Sequence, residues 1–306
     1  MGDKVIVLAG ATGHLGGLVA RALRARGARV RAIVRPGTAR GKIVELQQLG
    51  VAIAEADYRD GLPLAHACEG GACVVSTLSG LREVIVDVQT SLLQASVDAG
   101  VPRFIPSDFA IDFMKMPDGG NRNLDLRREF DLRLDDAPIA ATSILNGMFA
   151  DLLTGQAPYI LFKFRRVLYW ENADQPMDFT TTADTAAYTA AAALDPITPR
   201  VLRIAGEVAT ARDLAAIASS VTGEQFKLLR AGGLRRMEKL IRLTRLLAPG
   251  ANDVFPPWQG MQYMRDMIDG RAKLEPLDNA RYPELRWTSI RDVLEDSRTR
   301  ERAASS

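Results

Sequence analysis

The stretch VLAGATGHLGG, residues 7–17, decides the fold. It grows out of the β-branched run KVIVLAG (4–10) and passes into LGGLVARALRARG, where apolar residues recur at helical spacing. Between the two, Gly10, Gly13 and Gly16 stand three apart, with Thr12, His14 and Leu15 filling the loop. A strand, a glycine loop and a helix in that order predict a phosphate cradle. Glycine lets the backbone approach a pyrophosphate, unpaired amides at the helix start donate to its oxygens, and the last glycine lets helix and strand pack closely. Thr12 is placed to add a hydroxyl contact, and His14 reads as a nucleotide or solvent contact rather than a catalyst.

Working outward, RVRAIVR (29–35), VAIAEAD (51–57), ACVVSTLSG (72–80), RFIPSDFA (103–110) and IAATSILNG (139–147) read as further strands. GKIVELQQLG, GLPLAHACEGG, REVIVDVQTSLLQASVDAG and NLDLRREFDLRLDD between them carry helical periodicity. This alternation predicts an α/β fold, a doubly wound parallel sheet of Rossmann type.

After residue 150 the texture changes. YILFKFRRVLYWENADQPMDFTTT alternates like a hairpin or irregular β segment, and two helices follow in TADTAAYTAAAALD and TARDLAAIASSVTG, with VLRIAG between them as a further strand. GLRRMEKLIRLTRLLAPG predicts a basic amphipathic helix, a packed element with one solvated face. FPPWQGMQYMRDMIDG predicts a helix with an apolar stripe, and SRTRERAASS a frayed end. The expected organisation is a nucleotide-binding domain over 1–150 and a smaller α+β substrate lobe over 151–306, with segments near 178–210 returning to the first.

Composition narrows the partners. Basic and acidic residues nearly balance, 39 against 37, so no field favours nucleic acid. The two cysteines, Cys68 and Cys73, form no CxxC pair, so no disulfide framework and no metal site are expected, and a reducing cytoplasm is the default location. No apolar run is long enough to span a bilayer, and the opening residues turn into the glycine loop too early for a signal peptide. The expected partner is a small molecule, with no membrane and with a homodimer left open.

Cofactor preference rests on the end of the second strand. Where an NAD site places a carboxylate for the ribose 2′-hydroxyl, this chain has Arg35, which favours a 2′-phosphate and hence NADPH/NADP+. Lys42 and Arg40 complete a cationic clamp. Asp57, ending the third strand, is placed to meet the adenine amino group, and Thr77 and Leu78 lie where the ribose passes.

The motifs GATGHLG, IVRP, VPRFIPSDFA, ILNGMF, MDFTTTADTA and YPELRWTSIRDVLED together resemble the NmrA-like and isoflavone-reductase-like branch of the atypical short-chain dehydrogenases. The resemblance implies a Rossmann domain binding NADP(H), a smaller C-terminal lobe, and a cleft holding nicotinamide and substrate. Gly10, Thr12, Gly13, Leu15, Gly16 and Arg35 match its dinucleotide fingerprint, and Ser107, Asp108 and Phe109 its nicotinamide segment. Asn146 matches a polar position facing cofactor or substrate. Reductases of this branch carry a lysine on the helix before the sixth strand. Here that helix reads NLDLRREFDLRL, and Arg127 is its nearest cation.

Arginine stabilises an oxyanion but does not donate a proton at neutral pH. Asp108 and Tyr159 are therefore expected alongside Arg127 as catalytic candidates, with water as a further proton source. Tyr159 and Lys163 satisfy a YxxxK spacing, but in an extended segment, where residues four apart lie about 13 Å from each other. Phe149, Trp170, Trp258 and Met261 are candidate walls of an apolar pocket. The activity expected is hydride transfer from NADPH to a small apolar or aromatic acceptor of enone, quinone, ketone or benzylic ether type. The alternative, also found in this branch, is a silent NADP(H) sensor acting through a protein partner.

Overall fold

The computed structural model describes residues 4–304. The chain opens with β1 (Val5–Ala9), α1 (His14–Ala25), β2 (Arg29–Val34), α2 (Arg40–Gln48), β3 (Ala52–Glu55), α3 (Gly61–Cys68), β4 (Gly71–Ser76), α4 (Gln89–Asp98) and β5 (Arg103–Ile105). It continues with α5 (Arg122–Asp135), β6 (Ala140–Ala141) and β7 (Ser143–Leu145). Six strands form one parallel sheet in the order β3-β2-β1-β4-β5-β6. The order reverses between β1 and β4, and a doubly wound sheet opens its ligand crevice at that switch point, beyond the strand carboxyl ends. Val7, Ala9, Ile33, Val74 and Phe104 point from the strands into a core closed by Leu64, Leu92, Leu93 and Phe130 from the helices. Each valine, isoleucine, leucine and phenylalanine among them contributes roughly 1.5–3 kcal/mol by leaving water.

Two predicted strands end early. RFIPSDFA stays in the sheet only to Ile105, because the Ser107 amide leaves the ladder and bonds the Gln89 side chain at 3.0 Å. IAATSILNG splits: Thr142 still donates to the Phe104 carbonyl, but Ser143 donates to the Arg200 carbonyl, so β7 pairs away from the main sheet.

The remaining elements are β8 (Met148–Phe149), β9 (Ile160–Leu161), β10 (Arg166–Trp170), β11 (Met177–Thr180), α6 (Thr182–Leu194), β12 (Val201–Arg203), β13 (Glu207–Ala209) and α7 (Ala211–Thr222). After them come β14 (Lys227–Gly232), α8 (Leu234–Leu247), α9 (Pro257–Asp269) and α10 (Ile290–Ala304). β11 lies between antiparallel β13 and parallel β8, and β10 lies between parallel β14 and antiparallel β9. The tail expected to fray is helical through Ala304, with Ser289 and Asp292 bonded reciprocally at the start of α10.

Two compact units emerge, and neither is a single stretch of chain. The first comprises residues 1–109, 123–145 and 185–202, the second 110–122, 146–184 and 203–306. Arg103 explains why 185–202 joins the first. Its buried guanidinium donates to the carbonyls of Ala192, Ala193 and Asp195 and to the Thr198 hydroxyl, capping the C-terminal end of α6, where helix carbonyls lack partners.

The glycine loop is held by contact as much as by conformation. Gly10 sits at φ +82°, and a β-carbon on Gly16 would stand 2.1 Å from the Gly10 carbonyl oxygen, whereas one on Gly17 would meet nothing nearer than 3.6 Å. Gly16→Ala is therefore expected to lower stability by about 1–3 kcal/mol through overpacking. Gly17→Ala, one residue further along the same helix, is expected to raise it by up to about 1 kcal/mol through helix propensity. Urea unfolding of the two variants checks the opposite signs.

Candidate functional site

The first unit brings the predicted nucleotide residues to the switch point. Gly13 precedes α1 without any side-chain cap, leaving the amides of the first helical turn to an external acceptor, and Gly13 and His14 lie exposed. Leu15 is half-buried and Gly16 fully buried, so the loop offers backbone rather than side chain at its tip. Lys42, on α2, reaches across to the Thr12 carbonyl at 3.3 Å and sets an ammonium beside the loop. Arg35 follows β2 with its side chain exposed, and Thr38 bonds its carbonyl through both amide and hydroxyl, which fixes the turn that carries it. Uncapped amides, an ammonium and an exposed guanidinium fit a phosphorylated dinucleotide.

Around this cradle the structure separates contacts from supports. Asp57 is exposed and accepts from the Arg59 amide at 3.0 Å, a turn that keeps the carboxylate forward. Thr77 spends both its amide and its hydroxyl on the Ala9 carbonyl, at 2.9 and 2.8 Å, and its side chain packs where β-carbons on Gly10 and Gly16 would lie. Its role is to pin the loop to β4. Leu78 offers its carbonyl to the Ser107 hydroxyl at 2.6 Å, joining the turns after β4 and β5.

Tyr58 was not foreseen. It is buried, its phenol oxygen is hydrogen-bonded to the Gly10 backbone, and burial pushes its pKa up, so it supports the loop as a neutral phenol. Gln89 was also missed. The chain enters α4 through a π-helical turn, Glu83–Val88, and Gln89 then bonds the Ile85 carbonyl with its amide nitrogen and the Ser107 amide with its oxygen. Neither residue has a sequence signature beyond its place after a strand or at the start of a helix.

The Ser107–Phe109 segment is buried throughout. Arg127 projects from α5 to bond the Ser107 carbonyl through Nε at 3.1 Å and the Asn123 carbonyl through Nη1 at 2.9 Å. Its Nη2 makes no hydrogen bond to a described residue. Asp108 turns away from solvent: it is fully buried and accepts from the Ser143 hydroxyl at 2.5 Å. Beside it lies Asp131, whose carboxyl is pushed up to about 9, first by burial and then by the Asp108 charge. Burial raises the Asp108 carboxyl as well, so the two share a proton between them, while Arg200 stands 3.2 Å from Asp131 and donates to Ser143. Enclosed in this way, Asp108 is a structural acceptor rather than a proton source.

The candidates of the second unit fall out differently. Tyr159 precedes β9, fully enclosed, with no partner for its hydroxyl and a pKa raised by burial, so it is no ready proton donor. Lys163 lies exposed in a 3₁₀ turn, so the pair lacks the helix that YxxxK chemistry needs. Trp258 is buried, with the guanidinium groups of Arg122 and Arg245 at 4.7 and 4.9 Å from its ring and its indole nitrogen bonded to the Pro249 carbonyl. It is a packing centre rather than a free pocket wall. Phe149 and Met261 are half-buried. Asn146 is fully buried, yet both polar atoms of its side-chain amide lack a partner, which marks a group built to meet a ligand or water.

The buried carboxyl pair gives a pH signature. An unfolded aspartate titrates near ~4 and Asp131 in the folded chain at about 9. Between those values the folded state holds one extra proton, so this group's stabilising contribution is complete below the lower value and is lost as pH rises through the upper one. Asp131→Asn should flatten the fall in urea midpoint between about pH 5.5 and 8.5 by about one proton's worth of slope. An unchanged slope would count against the shared proton.

A model of the NmrA-like family matches residues 2–124. Pinoresinol reductase 1 of Arabidopsis thaliana is 28% identical over 239 residues, covering 72% of this chain and 75% of that protein. The bifunctional pinoresinol-lariciresinol reductase of Linum usitatissimum is 30% identical over 166 residues, 51% of this chain and 53% of that protein. Among solved structures, AtPrR2 with NADP+ and (+)pinoresinol superposes with a TM-score of 0.80 at 22% identity, covering 97% of this chain and 100% of that one. The NADPH-dependent quinone oxidoreductase QOR2 of Escherichia coli, in complex with NADPH, does so at 0.75 and 19%, covering 95% and 99%. Residues 2–124 thus match the NmrA-like family model, and the chain as a whole has the fold of these reductase structures.

Proposed function

We propose that this chain is an NADPH-dependent reductase of a small aromatic or apolar acceptor of the enone, quinone, ketone or benzylic ether kind. The observation that carries the reading is the uncapped start of α1 flanked by Arg35 and Lys42, with no carboxylate after β2. It is supported by the relatives named for pinoresinol and lariciresinol reduction.

Hydride donation is the chemistry the cofactor supplies when bound. In this reading Gly10, Gly13 and Gly16 admit the pyrophosphate, while the amides of His14 and Leu15 face its oxygens. Arg35 and Lys42 hold the 2′-phosphate, Asp57 meets the adenine, and Thr77, Leu78, Ser107 and Phe109 bound the ribose and nicotinamide. Arg127 holds the acceptor oxygen through Nη2 and stabilises its developing negative charge, the kind of preorganised donor whose loss costs ~10²–10³ in rate. Its guanidinium keeps its proton, and Asp108 and Tyr159 are enclosed, so the proton that completes reduction comes from water.

Arg35→Glu should weaken NADPH binding by about 10–100-fold, the worth of a charge-assisted hydrogen bond, and leave NADH binding nearly unchanged. Fluorescence titration with both nucleotides measures this. Arg127→Ala should retain NADPH affinity and lower kcat/KM on a quinone and enone panel by ~10²-fold. Tight NADPH binding by the native chain with no turnover across the panel would instead favour the sensor.

A further inference from the structure

A cavity of about 570 Å³ lies within the second unit, bounded by β10, β14 and α8. Its volume falls within the range of small-molecule sites. Trp170 from β10 and Leu240 and Leu243 from α8 supply apolar lining, and Arg230, Arg236 and Lys239 supply three cations. The helix explains the mixture. Residues 236, 239, 240 and 243 follow the i, i+3, i+4, i+7 rule and share one face, while Met237 and Ile241 are buried and hold α8 to the unit.

Two features of this face have no use in the packing. Leu240 and Leu243 remain 40% and 52% exposed, although a globular helix turns its leucines inward. The three cations make no hydrogen bond or ion pair with any described residue, whereas most arginines of this chain do. Trp170 adds a buried indole N–H without an acceptor. Apolar walls, unneutralised cations and an unused donor ask for a ligand with an apolar body and an anionic head. The site is an open concavity between two strands and a helix rather than a flat face, which suits a small molecule better than a bilayer surface.

We propose that this cavity binds an amphipathic organic anion, a flat aromatic or short acyl body carrying a carboxylate, sulfate or phosphate. The apolar body lies against Trp170, Leu240 and Leu243, and the head pairs with Arg230, Arg236 and Lys239. The site does not involve the nucleotide residues, so it stands or falls separately from the reductase reading.

Isothermal titration of the full chain with naphthalene-2-sulfonate, and with 2-naphthalenemethanol as the neutral counterpart, tests it. Saturable sulfonate binding is expected, at least about tenfold tighter than the alcohol and weakening as salt screens the pairs. Arg236→Glu with Lys239→Glu should weaken the sulfonate about tenfold or more and leave the alcohol unchanged, both substitutions being at exposed positions. Leu243→Gln should weaken both. No saturable binding, or equal affinity in the charge-reversed variant, overturns the proposal. So does co-sedimentation with phosphatidylglycerol vesicles in place of sulfonate binding, which would assign the face to a membrane surface.

Discussion

The contact between the Gly16 position and the Gly10 carbonyl governs the nucleotide-binding unit. Because no side chain separates them, α1 packs closely against the loop that leaves β1, and its first amides open at the switch point of the sheet. Thr77 and Tyr58 fasten the same loop from β4 and from the turn after β3. The ends of three strands therefore meet around Ala9 and Gly10. A cradle held at so many points can present bare backbone to a ligand without losing its shape.

The same logic of outer supports continues away from the loop. Gln89 holds the Ser107 amide, Leu78 holds the Ser107 hydroxyl, and Arg127 holds the Ser107 carbonyl. Every polar group of that residue is thus occupied by protein. Beneath it the Asp108–Asp131 pair, with Ser143 and Arg200, stores one proton in a buried network. Asp108, placed by sequence among the reacting groups, belongs to this foundation. Such a network holds the segment rigidly, and preorganisation of that kind is what electrostatic catalysis by a fixed arginine requires.

The parallel sheet and the glycine loop were legible in the sequence because they rest on local signals: period-two runs, period-3.6 runs and glycines at fixed spacing. Arg35 and Lys42 are exposed, and their pairing with a 2′-phosphate belongs to the proposed function. Three things were not legible. The strand from 103 was read too long because its departure from the ladder depends on a distant side chain, Gln89. Tyr159 and Trp258 were read as site residues because an aromatic side chain looks the same in a wall and in a core. Tyr58 was missed because a phenol against a backbone atom leaves no pattern. The resemblance to a family supplied the rest, and with it the missing lysine on α5.

Arg103 has one more consequence. By capping α6 from β5 it makes residues 185–202 part of the first unit, although they lie beyond much of the second in sequence. Both units are therefore interleaved, each built from three separate stretches of chain. A protease cut or a truncation near residue 150, where the change of texture suggests a boundary, would free neither unit intact. It would strip a helix cap from one and leave a guanidinium buried without its carbonyls.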